Sequence, residues 1–147
     1  VATAVDVLFA AVSRPGRLWN PFNAQMARSE FKKRIQRAQN GGLRPLDEVK
    51  PVDTDNPPPL YEIRWQGITV TEQGADGKQT FRDVLVRMYH SEPVNVPGHF
   101  IGHHAHEKLL DVPDVNAEQQ NHIRTAIGWH DHGRPSNWGI ASAGPSL

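Results

Sequence analysis

The sequence predicts an α+β domain: a small antiparallel sheet of about four strands packed against a long N-terminal helix, with a short C-terminal helix. Three observations carry this. One segment repeats apolar residues at helical spacing, three later segments alternate in polarity, and Pro/Gly-rich stretches punctuate the chain between them.

In chain order, Val5 to Val12 (VDVLFAAV) is a short apolar run rich in branched residues and reads as a first strand. Pro15-Gly16 then turns the chain. Asn20-Pro21 has the form of a helix N-cap followed by proline at the first helical position. Beyond it Ala24, Ala27, Phe31, Ile35 and Ala38 recur at spacings of 3, 4, 4 and 3, a narrow core-facing stripe. Gly41-Gly42 provides left-handed residues to end this helix. Residues 43–59 carry five prolines and read as a connecting loop. Leu60 to Val70 alternates and is bent by Gly67; Phe81 to His90 returns after a Gly-Ala-Asp-Gly-Lys turn; His99 to His106 follows Pro97-Gly98. Asn116 and Gln119 have capping-box spacing, and Ile123, Ala126 and Ile127 give a short helix ending at Gly128. Residues 1–128 thus form the domain and 129–147 an extension packed on or beside it, with Trp129 and Trp138 as its anchors.

Composition narrows the function classes. The 147 residues hold 16 basic and 16 acidic side chains, which argues against a wholly basic nucleic-acid coat but not against a local patch. Mean hydropathy is −0.57, and no apolar run approaches the roughly 18 residues of a membrane span. Val7 to Val12 is too short for the apolar region of a signal peptide. The absence of cysteine removes disulfides, thiolate metal sites and thiol nucleophiles. A cytoplasmic protein is expected. Of the eight histidines, His90, His99, His103, His104 and His106 fall within 17 residues, and that is where chemistry is sought.

A helix bearing Phe31-Lys32-Lys33-Arg34 runs to Gly41-Gly42, and a loop leads to Leu60-Tyr61-Glu62-Ile63-Arg64. Next come Val86-Arg87-Met88-Tyr89, then His106-Glu107-Lys108, then Pro113 ahead of Ala117 to Gly128. Over about residues 5–128 this order resembles the RelE-type toxin superfamily, most closely its HigB and phage-derived branch. Here His-Ala-His-Glu-Lys stands where that family closes with Phe-X-Lys-Lys, and the inserts at 72–80 and 91–98 are long. The resemblance implies a metal-independent endoribonuclease that cuts mRNA, usually on the ribosome, and is silenced by a cognate antitoxin. It implies a site built of Arg, Lys, His and Tyr that activates the 2′-hydroxyl, neutralises the phosphate and protonates the 5′-oxygen; no cofactor is called for.

The residues themselves suggest the same roles. In alternating strands Arg64 lies on the face of Leu60 and Glu62, and Arg87 on that of Leu85 and Tyr89, so the two arginines can clamp a phosphate. The bland alternative is a solvated pair bonded to Glu62. His104 and His106 share a face that Lys108 extends. One neutral and one protonated imidazole would serve as base and acid, with Tyr89 and Lys108 positioning and supplying charge. Between Arg28 and Arg44 there are six basic residues against Glu30, and Lys32, Lys33, Arg34 and Arg37 are the candidate nucleic-acid contacts. A solvated helix face is the alternative there. The His-X-His pairs at His104/His106 and His130/His132, with Asp131, keep a metal-dependent hydrolase open as a third reading, beside a non-catalytic binding module.

Overall fold

A computed structural model describes residues 3–140. The elements are α1 (Ala4–Val12), α2 (Pro21–Gln39), β1 (Val49–Pro51), β2 (Tyr61–Gln73), β3 (Gln79–Ser91), β4 (Ile101–Lys108) and α3 (Val115–Gly133), closed by a 3₁₀ turn over Arg134–Gly139. The strands form one antiparallel sheet in the order β1-β2-β3-β4. The α+β class and the four-stranded sheet are as the sequence predicts, but one strand is exchanged for another.

The Val5–Val12 run is a helix, not a strand. Thr3 caps it by accepting from the Asp6 amide, and Asp6 reciprocates to the Thr3 amide, so both orphan donors are satisfied. The buried residues are Leu8 and Val12, four apart on one helical face. The fourth strand comes instead from the proline-rich connection. Val49, Lys50 and Pro51 pair with Ile63, Glu62 and Tyr61, a partner 10 or more residues away that no local pattern announces.

The long helix expected at the N-terminus is the second one, preceded by α1, and it follows its sequence signals closely. Asn20 accepts from the amides of Phe22 and Asn23, and Asn23 returns a 2.7 Å bond to the Asn20 amide. Ala27, Phe31, Ile35 and Ala38 are buried. At the end Gly41 takes φ 69°, while the Gly42 amide reaches the Arg37 carbonyl at 2.8 Å and the Gly41 amide reaches Ala38. The long β2–β3 hairpin slips register between Trp65 and Ile68, where Gly67 bends it.

The sheet buries both faces. On one side α1 and α2 cover Ile63, Trp65, Ile68, Val84, Val86 and Met88, with Phe31 edge-on to Trp65. On the other, α3 lays Ile123 and Ala126 over Tyr89, Leu60 and Val52. At the far edge Arg17, wholly buried, is bound by Glu107, Glu72 and the Val12 carbonyl, fastening the α1–α2 connection to β2 and β4.

The C-terminal helix is long rather than short. Its cap is Asp114, which accepts from the Ala117 amide, and the helix runs through Gly128 to Gly133. Gly128 lies on the exposed side, where its cost relative to alanine is only about 1 kcal/mol. Trp138 fastens the end by donating its indole N–H to the His130 carbonyl, whereas Trp129 is exposed. Residues 141–147 of the expected extension lie outside the described residues. No helix among the described residues is long and apolar enough to cross a membrane.

Candidate functional site

Strand register assembles the polar sheet face in rows. Lys50, Glu62, Tyr89 and His104 stand opposite one another across β1 to β4; Arg64, Arg87 and His106 form the next row; Lys108 stands opposite Leu85 beyond it. Residues paired across a ladder share a face, so Arg64, Arg87, Tyr89, His104, His106 and Lys108 come together as the alternation predicts. Helix α3 lies over part of this face and adds Glu118, Gln119 and His122.

Glu62, fully buried, is the anionic centre. Its carboxylate lies 3.1 Å from Arg87 Nε and 3.4 Å from Arg64 Nε, and accepts from the Gln119 amide at 3.3 Å. The Arg87 guanidinium also donates to the Val86 and Trp65 carbonyls. Burial and the neighbouring Arg64 charge hold Arg87 below the ordinary guanidinium range. Lys108 is lowered too, by burial first and then by the Arg87 and Arg64 charges. Arg64 and Arg87 thus pair with one carboxylate, with Lys50 opposite it in register and Lys108 further along the same face, an excess of positive charge on a half-covered surface.

Beside the cations stands a set of stacked rings. Tyr89 is buried, and burial together with Glu62 raises its phenol well above the ordinary value, so it keeps its proton. It donates to His106 Nε2 at 3.0 Å, while His106 Nδ1–H donates to the Glu107 carbonyl at 3.1 Å. This pair of partners assigns the His106 tautomer and engages both of its nitrogens. The His122 ring stacks on His106 at 3.8 Å and 4°. His122 bridges two groups: Nε2–H to Glu118 Oε1 at 3.0 Å, and Nδ1 to His104 Nε2 at 2.7 Å.

Burial, then the His122 charge, lowers His104 to about 4 and His106 to about 3. Both are neutral at pH 7, so the expected division into one neutral and one protonated imidazole does not hold between these two. Glu118 and His122 were not picked out from the sequence. Their signal was an i,i+4 Glu–His pair on the helix face that also carries Gln119, Ile123 and Ala126.

The remaining candidates lie elsewhere. Arg37 makes a bidentate pair with buried Glu48 at 2.7 and 2.8 Å. Arg34 lies 3.2 Å from the same carboxylate and donates to the Arg64 carbonyl. Lys32 and Lys33 are exposed, Lys33 standing 3.5 Å from Glu30. His90 and His103 are drawn into the far end of the sheet, where His103 bonds Ser91 at 2.7 Å. His130 is buried on Asp131 while His132 is exposed, because successive positions on a helix diverge by about 100°. Among the described residues no three His, Asp or Glu side chains converge as metal ligands. No family model matches this sequence, and no curated protein or solved structure is significantly similar to it.

Proposed function

We propose that this chain is a RelE-like toxin component, a metal-independent endoribonuclease that cuts mRNA at the polar face of its sheet, in company with the ribosome and a cognate antitoxin. One observation supports this most: Arg64 and Arg87 pair with Glu62 on a face that also carries Lys50 and Lys108, in direct continuity with Tyr89, His106 and His104. A phosphodiester seated there would meet Arg64 and Lys108 at the half-buried rim and Arg87 beneath them. Charge-assisted bonds of this kind grow stronger as negative charge builds on the phosphoryl oxygens. His104 would act on the 2′-hydroxyl, with Tyr89 and His106 fixing the ring row beside it.

Purified protein incubated with RNA in EDTA should produce fragments ending in 2′,3′-cyclic phosphate and 5′-hydroxyl. Arg87→Ala should lower cleavage by about 10²-fold or more, the scale of losing one transition-state donor. Induced expression should arrest growth with loss of mRNA. Cleavage abolished by chelation would transfer the assignment to a metal-dependent hydrolase. A second reading, a non-catalytic binding module on the same scaffold, is favoured by the burial of Arg87, Tyr89 and His106 at 2%, 0% and 5% exposure. RNA binding without any cleavage would establish it.

A further inference from the structure

We infer that Glu118, His122 and His104 form a proton relay in which His104 Nδ1 is the receiving atom and His122 the resting place of the proton. This rests on the endoribonuclease reading and adds to it two positioning residues contributed by α3.

The relay follows from the hydrogen-bond partners. Glu118 carboxylate accepts from His122 Nε2–H, which leaves His122 Nδ1 as a lone pair facing His104 Nε2. His104 therefore carries its proton on Nε2 and its lone pair on Nδ1. That Nδ1 makes no hydrogen bond among the described residues, whereas both nitrogens of His106 are engaged. Of the two strand histidines, only His104 has a nitrogen free to accept.

A half-buried imidazole beneath a helix is by itself a poor base, since burial disfavours its cation. The relay removes that obstacle because His104 never holds the charge. When a 2′-O–H bond breaks, a proton joins His104 Nδ1, and the proton on His104 Nε2 passes to His122 Nδ1. The 2′-oxygen keeps its electron pair and attacks phosphorus; the P–O5′ bond breaks, and the 5′-oxygen leaves with that electron pair and takes a proton from water. The cation comes to rest on His122, half-exposed, 3.0 Å from Glu118 and stacked on the neutral His106 ring. The groups facing it are Glu118 on α3 and His104 and His106 on β4, with Tyr89 and Arg87 behind them on β3. Arg87 opposes a cation here, and Glu118, which accepts from His122 Nε2–H, favours it, so Glu118 is the residue that holds the relayed charge in place.

Two variants test this, read as pH–rate profiles of RNA cleavage and as ¹⁵N spectra of the imidazoles. His122→Gln should lower kcat by about 10² or more, within the range of general base catalysis, with KM and thermal midpoint little changed. Glu118→Gln should lower kcat at neutral pH about tenfold and move the rising limb toward acid, because the nearby anion that favours the cation is gone. A purely structural Glu118 would not move that limb. The parent spectra should show His104 protonated at Nε2 only. A parent that cleaves, with both variants equally active and an unshifted limb, overturns the relay alone. A His104 protonated at Nδ1 does the same. A parent that cleaves no mRNA, either free or on translating ribosomes, overturns the endoribonuclease reading, and the relay's role falls with it.

Discussion

Acidification should unfold this protein through its histidines, well before its carboxylates are protonated. His90 and His106 are 3% and 5% exposed, and burial lowers them to about 4 and about 3. In the unfolded chain each titrates near about 6.5. The folded form resists protonation, so its stability is complete above the unfolded value and is lost as pH falls below it. From about pH 7.5 to about pH 5.0 each of these two histidines removes about 2 kcal/mol, hence about 4 kcal/mol for the pair. That is a large part of the about 5–15 kcal/mol that holds a domain together. His103 and His104, half-buried and also lowered to about 4, act in the same direction. Glu48, held at about 2 by its Arg37 partner, contributes little in this window, because its stabilisation is lost only as pH falls below the unfolded carboxylate value of about 4.5. Urea unfolding followed by tryptophan fluorescence at several pH values gives the test. Near pH 5 the slope should be at least about 2.5 kcal/mol per pH unit, equivalent to roughly two protons taken up on unfolding. His90→Gln should remove about one of them. A loss below about 1 kcal/mol across the range would show that these rings are not held neutral by the fold.

Glu48→Gln should destabilise the protein by roughly 2–3 kcal/mol, because Arg34, Arg37 and Arg44 would then surround a neutral amide; the exposure of Arg37 and Arg44 keeps the cost at that level. An unchanged thermal midpoint would remove Glu48 as the fastener between α2 and β1. Gly133→Ala should expel the Trp138 indole, since a Cβ there would overlap Trp138 Cδ1; the emission should shift to the red, and an unchanged spectrum would refute the packing. Lys32→Glu with Lys33→Glu should leave stability within about 0.5 kcal/mol. If these lysines touch phosphate, the salt slope of RNA binding should fall by about 0.7–0.9 per contact; an unaltered slope would mark them as solvated.

What was legible in the sequence was whatever local chemistry decides. The Asn20-Pro21 start, the Ala27–Phe31–Ile35–Ala38 stripe and the Gly41-Gly42 end together specify α2 without reference to the rest of the chain. Alternation placed Arg64, Arg87, His104 and His106 on definite faces, because a strand has a period of two. The failures were long-range or masked. Branched residues in Val5–Val12 imitate a strand, and the Thr3–Asp6 capping box outweighs them. β1 exists only through its pairing with β2. Glu118 and His122 sit at a spacing visible in the sequence, but nothing local says that this helix face meets β4 rather than water.

The distribution of charge, rather than its sum, ranks the candidate nucleic-acid surfaces. The basic run of α2 looks like a phosphate track in the sequence, yet Arg34, Arg37 and Arg44 converge on Glu48, and Arg28 pairs with Asp6 at 2.9 Å. At the opposite edge Arg14, Arg17 and Arg82 are matched by Glu72 and Glu107. The sheet face is different: Arg64 and Arg87 share Glu62 with Lys50 and Lys108 on the same face, and Lys108 is lowered by burial first and then by the repulsion of the neighbouring cations. An anion seated there relieves that repulsion, whereas an anion on α2 must compete with a carboxylate already bound by three guanidiniums. Arg64→Ala should therefore weaken RNA binding more than Lys32→Ala does at the same salt concentration. The reverse order would return the interface to the helix.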